Sequence, residues 1–374
     1  MRKKIPNSVI GVDLGRHSIK TVSLQRRSGN RFVVSNYAVH VMESAPQTAE
    51  QLGAELKIAL QETGASAKTC AVAVSSNDTL IRIIEQPETP REILRDAIRL
   101  NGLSLLNQEV KEFVLDCERV NPVSIAKPAK AQKKEKKEKA EKPQKGSKAA
   151  APAAAPQAPG QPVKYLVAGM PRARVQMIDE AFHQSKKTSI HNIQLASVCT
   201  FNAFEFANPE AFANEAFLLV DIGHQNSTVT VGVKKELVIV RAIEYGVNNL
   251  REFLVSNGSP NPNEAFRQFE SGDETALDNA RLSLAALTRE IASSIGFFEG
   301  RREENITRVY VSGGGARLKT LLTILGEELH IPCEAWDPFS TCEVALPAGR
   351  KETLAEDFVS LNVACGAAAE ALRR

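Results

Sequence analysis

The sequence predicts an α/β protein made of two related lobes around a shared cleft, and three observations carry that reading. Residues 9–24, VIGVDLGRHSIKTVSL, hold an apolar strand ending at Asp13, a turn opened by Gly15, and a second strand through Ile19, Val22 and Leu24. Residues 217–233, FLLVDIGHQNSTVTVGV, repeat this hairpin with Asp221 and Gly223. Residues 306–332 then give strand, Gly313-Gly314-Gly315 and helix. A single Asp-Leu-Gly is weak, because Asp and Gly are common turn formers. Two such hairpins in one chain point to a duplicated lobe. A carboxylate beside a turn of backbone N–H groups is suited to hold the metal and the phosphates of a nucleotide together.

The remaining elements follow in order. Residues 31–42 alternate through Val33, Tyr37, Val39 and Val41 as a third strand. Thr48 with Gln51 has the spacing of a capping box, opening a helix with Leu52, Leu56 and Leu60 on one side and Gly64 as its stop. TCAVAVS (69–75) is continuously apolar, as an inner strand buried on both faces is. Residues 79–121 form a separate small unit: a strand ended by Pro87, a helix running to Asn101-Gly102, and a strand at 112–120. KYLVAGM (164–170) resumes this unit as a strand, and 171–185 as a helix with Pro171 near its first turn. Residues 189–207 connect to the second lobe. After the second hairpin come a strand at 236–246, a helix from Asn248 to Ser256, and a helix at 280–302. The last of these has Leu284, Leu287, Ile291, Ile295 and Phe298 at helical spacing. A small-residue helix, NVACGAAAEAL, ends the chain and is expected to pack tightly on a neighbour.

Length and composition bound the function. A chain of 374 residues, 43% hydrophobic and 24% charged, has room for two or more ordinary globular cores. No apolar run approaches the roughly 18–20 residues of a membrane span, and the start is too quickly polar for a signal peptide. The six scattered cysteines show no ligand spacing and read as reduced thiols, which places the protein in the cytoplasm. The net charge of +3 is local in origin. Ten lysines and three glutamates between Lys127 and Lys148 contribute +7, leaving −4 for the remainder, so no nucleic-acid groove is expected. The stretch 122–162 reads as a disordered Lys/Ala/Pro insertion into the small unit. No G-x-x-x-x-G-K-[ST] is present, which excludes a P-loop core.

With Asp13, Asp221 and the triple glycine placed, their order resembles the actin-like (ribonuclease H-like) ATPase superfamily. In detail the chain is most similar to the PilM family, cytoplasmic actin-like proteins of type IV pilus assembly. The matching stretches are GVDLGRHSIK, LVDIGHQNST, Arg241 to Gly246, VSGGGARLKTLLTIL with HIPCEAWDPF, and NVACGAAAEAL. The resemblance implies two lobes with five-stranded sheets, ATP and Mg²⁺ between them, and slow hydrolysis at most. It implies a first lobe of residues 1–78, 183–200 and 350–374, and a second lobe of 201–349 that carries the adenosine. It also implies an inserted subdomain of 79–121 with 163–182, of the type FtsA shares. The implied partner is the cytoplasmic tail of a PilN-like inner-membrane protein, with self-association into a ring or filament and membrane attachment only through the partner.

The resemblance assigns roles residue by residue. Asp13 and Asp221 hold Mg²⁺ through waters; Gly15 and Gly223 bring the turns to the phosphates; Lys20 and Ser227 contact phosphate. Gly313, Gly314 and Gly315 admit the adenosine, Glu264 and Arg267 edge its pocket just before a helix, and Gln194 orients the attacking water. Lys20 fits an exposed strand lysine equally well, Glu264 and Arg267 fit a surface pair, and Gln194 a surface amide. The chain departs from the family pattern at Arg16-His17, where small hydroxyl residues are usual, at His224-Gln225-Asn226, and at Val247, where a second glycine is common; this bears on hydrolysis more than on binding. Other function classes fit the sequence less well. An FtsA-like division protein lacks its C-terminal amphipathic helix here. A sugar-kinase-type enzyme lacks a base, since no Asp lies between Asp179 and Asp221. A DnaK-type chaperone lacks a substrate domain.

Overall fold

A computed structural model describes residues 6–75, 78–120, 162–185 and 188–373. The insertion expected at 122–162 therefore lies outside the described residues, apart from Pro162.

The first sheet is built from β1 (Ser8–Leu14), β2 (Ser18–Arg27), β3 (Arg31–Val41), β4 (Thr69–Val74) and β8 (Ser189–Leu195), with the two-residue β14 (Glu343–Val344) at its edge. Its order is β14-β3-β2-β1-β4-β8. Six strands stand where five were expected, because the chain after Trp336 crosses back and lays Glu343 and Val344 parallel to Val33 and Val34. Helix α1 (Ala49–Thr63) begins at Thr48, whose Oγ1 accepts from Gln51 N–H at 3.3 Å, and stops at Gly64 in the left-handed conformation. The reciprocal half of the cap is displaced by one residue: Gln51 Oε1 accepts from Gln47 N–H at 2.8 Å.

The small unit contains β5 (Leu80–Gln86), α2 (Arg91–Leu106), β6 (Phe113–Arg119) and β7 (Val163–Pro171), the strands ordered β5-β7-β6. Val120 N–H donates to Lys164 O at 2.9 Å, so the chain leaves and re-enters this unit at adjacent strand ends. Such a site tolerates a long insertion. Asn101-Gly102 does not end α2 as expected. Asn101 is locally non-helical (φ −127°), and the helix resumes to Leu106. A Cβ on Gly102 would stand 2.4 Å from Val110 Cγ2, so this glycine admits the returning loop. Pro171 closes β7, and helix α3 (Arg172–Ser185) begins after it.

Helices α4 (Ala196–Ala207) and α5 (Pro209–Asn214) lead to the second sheet of β9 (Ala216–Ile222), β10 (Ser227–Val233), β11 (Glu236–Ile243), β12 (Val309–Ser312) and β13 (Cys333–Ala335), in the order β11-β10-β9-β12-β13. Helices α6 (Val247–Asn257), α7 (Pro262–Ser271), α8 (Glu274–Glu299) and α9 (Lys319–Leu329) complete that lobe, and α10 (Ala348–Asp357) and α11 (Asn362–Arg373) return to the first. Helix α8 starts six residues before the predicted Ala280, since Asp273 caps it by accepting from Ala276 N–H.

Strand periodicity explains how both sheets aim an aspartate inward. Ile10, Val12 and Leu14 pack toward α1 and α3, so Val9, Gly11 and Asp13 fall on the opposite face, where α11 lies. In the second sheet Leu218, Val220 and Ile222 pack toward α8, leaving Phe217, Leu219 and Asp221 on the face covered by α4. Helices α4 and α11 pack on each other between the sheets. They are dominated by buried small residues and phenylalanines, which brings the two aspartate-bearing faces together.

Candidate functional site

The two hairpins use the same local device. A Cβ on Gly15 would stand 2.7 Å from Ser18 O, and one on Gly223 would stand 2.8 Å from Asn226 O. Each glycine thus permits a turn in which the carbonyl three residues on passes close by. Gly223 N–H donates to Asn226 O at 2.9 Å, so it shapes the turn and its donor is already committed.

Behind the turns the charged residues gather. Lys20 lies opposite Asp13 in the β1–β2 register, and its Nζ stands 3.0 Å from Asp13 Oδ2. Asp13 is 4% exposed. Lys20 is therefore no surface lysine. Burial works against its charge, but the charges of Asp13 and Asp221 and the Asp13 hydrogen bond outweigh this, so its pKa lies above the ordinary value. Asp221, from the other lobe, accepts from Ser312 Oγ at 2.9 Å. Burial pushes its carboxyl above the ordinary value; Lys20 pulls it down, Asp13 adds to the rise, and the Ser312 bond also lowers it without cancelling the shift. A raised carboxylate pKa stabilises the fold only below the ordinary carboxylate range, and that contribution is lost as pH rises through the raised value. Ionising Asp221 therefore costs the folded state stability.

The triple glycine wraps the end of β9. Gly313 has φ +84°, its N–H donates to Val359 O at 2.8 Å, and a Cβ there would meet Ile222 O at 2.5 Å and Asp221 Oδ1 at 2.9 Å. Only glycine fits both conditions. Gly315 rests against the Ile222 side chain, whereas Gly314 faces open space. Gly314 and Gly315 open a 3₁₀ turn (Gly314–Arg317) that leads into α9.

Other predicted residues stand apart from this cluster. Ser227 is buried and its hydroxyl donates to Tyr245 O at 2.7 Å. Glu264 and Arg267 lie on α7, just before α8, and pair with each other at 3.0 Å with Arg267 largely exposed. The Gln194 amide meets Asn192 Oδ1 at 3.3 Å and Ala367 O at 3.4 Å, with no contact to either aspartate. Sequence reasoning missed Ser312, although it directly precedes the triple glycine, and Arg317, whose charge opposes that of Lys20. Beside the cluster, a cavity of about 500 Å³ opens where the first lobe, the small unit and β10–β11 meet, with Ser75, Asp78, Arg82, Ser197, Thr228 and Arg241 in its lining. Among the described residues no three His, Cys, Asp or Glu side chains form a metal cage.

Two lobes that aim matching aspartate hairpins into a common cleft, with a glycine loop folded against the second, define a protein of the actin-like ATPase fold. The family described as "Type IV pilus assembly protein PilM" matches residues 11–135 and 162–373, and the chain belongs to that family. Among solved structures it is similar to the "PilM-PilN type IV pilus biogenesis complex", at 20% identity over 99% of each chain with a TM-score of 0.77. It also resembles the ethanolamine utilization protein EutJ from Carboxydothermus hydrogenoformans, at 12% identity over 98% of this chain and 90% of that one, TM-score 0.49.

Proposed function

We propose that this chain is an ATP- and Mg²⁺-binding scaffold that works in the cytoplasm and joins the inner-membrane platform of a type IV pilus by receiving the cytoplasmic tail of a PilN-like protein. The observation that carries the nucleotide part is the cross-lobe cluster of Asp13, Lys20 and Asp221 beside Gly313. Two carboxylates and one ammonium leave one negative charge in excess, with oxygen donors too few for a cage. That suits a magnesium ion that keeps its waters and shares phosphate oxygens. In this reading Asp13 and Asp221 hold the ion and Lys20 neutralises phosphate. Gly15 and Gly223 shape the turns, and Gly313, Gly314 and Gly315 leave room for adenosine with Glu264 and Arg267 at its edge. Ser227 acts by fixing the start of β10, and Gln194 orients a water. Magnesium and ATP, when bound, supply charge neutralisation and at most a slow phosphoryl transfer to water.

The partner half rests on family membership and on the likeness to a solved PilM–PilN complex. Membrane attachment is assigned to the partner, since among the described residues no helix is long and apolar enough to cross a membrane. We take residues 79–121 with 163–182 as the inserted subdomain that, with the first lobe, receives the tail. Fluorescence anisotropy with a labelled peptide of that tail, from the PilN-like protein of the same organism, is expected to saturate in the micromolar range. A flat titration with folded protein would remove the partner from the proposal.

A further inference from the structure

The residues that follow each turn glycine meet one another across the cleft. The rings of His17 and His224 stack with centroids 4.2 Å apart and planes 13° from parallel. Arg16 Nη1 donates to Gln225 Oε1 at 2.9 Å. In each pair one member belongs to the first-lobe hairpin and the other to the second. Both turns are anchored from behind. Met42 N–H donates to His17 O at 2.9 Å, while Val247 N–H donates to Gly223 O at 3.0 Å and Asn248 N–H to His224 O at 2.8 Å. Gly246 is needed for the last two bonds, because a Cβ there would lie 2.5 Å from the His224 carbonyl. The four side chains therefore connect two fixed mounts, and a contact between fixed mounts resists separation of what carries them.

We propose that His17, His224, Arg16 and Gln225 form a clasp that holds the two lobes together by protein contacts alone, so that nucleotide enters and leaves when the clasp opens. The gating half rests on the nucleotide reading of this cleft; the closing half does not. The charge state fits. Burial first, then the neighbouring His17 and Arg251, hold His224 below the ordinary histidine pKa, with Glu252 opposing. A neutral ring stacks on its neighbour where two imidazolium ions would repel. The chemistry is specific to this chain's turn residues, since small residues at these positions have no ring or guanidinium to reach across.

Amide hydrogen exchange of the full, nucleotide-stripped chain tests the clasp. His17→Ala is expected to speed exchange in the opposite turn, residues 223–226, and His224→Ala in residues 15–18. Each effect should be about two- to tenfold, the worth of a stacked pair, and the double variant should go no further than the larger single one. Substitutions that disturb only their own turn would overturn the proposal. Release of a fluorescent ATP analogue with Mg²⁺ should accelerate by a similar factor in either variant, and unchanged release from a wild type that binds would overturn the gating. Should wild type fail to bind the analogue, the nucleotide reading and the gating fall together, and the cross-turn exchange alone decides the closing half.

Discussion

Gly366→Ala is expected to cost about 3 kcal/mol or more, at or beyond the upper end of what overpacking usually costs. A Cβ at this position would stand 1.8 Å from Cys199 O and 3.0 Å from Ala203 N, and both belong to the α4 backbone, which cannot rotate away. On the other side of the same helix, a Cβ at Gly11 of β1 would stand 1.8 Å from Ala364 O. Helix α11 is thus seated backbone against backbone on two elements, and α4 in turn packs against the second sheet. Urea unfolding should show a lower midpoint for Gly366→Ala and for Gly11→Ala. Gly296→Ala, in helix α8 with nothing within 4 Å of its Cβ, should gain up to about 1 kcal/mol from helix propensity. A Gly366→Ala midpoint equal to that of wild type would contradict this packing.

Lys20→Met is expected to destabilise by about 3–5 kcal/mol, the penalty for breaking a buried pair from one side. It leaves Asp13 at 4% exposure without its cation, and removes from Asp221 the charge that holds its pKa down. Adding Asp13→Asn should restore most of the loss, because the cost lies in the orphaned charge and not in the missing contact. Additive losses in the double-mutant cycle would contradict a direct pairing of the two residues.

Much of this fold was legible because the signals are local. An apolar run closed by Asp-x-Gly can be read from a dozen residues, and period-2 burial then fixes which way the aspartate points. The small-residue run at 362–373 announced tight packing for the same reason: alanine and glycine have nothing else to offer a core. What escaped is what depends on chain remote in sequence. Arg16 and Gln225 are 209 positions apart, and no periodicity relates them, so the turn residues read only as departures. Strand β14 is two residues long, and its pairing with β3 is set by the tertiary return of the chain. Asn101-Gly102 carried the local chemistry of a helix stop, but the Val110 loop made the glycine a contact and let the helix continue. Glu264 and Arg267 had the spacing of an i,i+3 pair and were found as one. The pocket-edge role came from resemblance alone.

The central claim is that Asp13, Lys20 and Asp221 form a magnesium–nucleotide site, and calorimetric titration of nucleotide-stripped protein with ATP and Mg²⁺ tests it most directly. Asp221→Asn, shown by its melting curve to be folded, is the control, because the amide retains an oxygen for Ser312 while removing the carboxylate charge. The account predicts micromolar binding by wild type that requires Mg²⁺ and is lost in Asp221→Asn. Absence of binding by folded wild type, or equal binding by the variant, would contradict it.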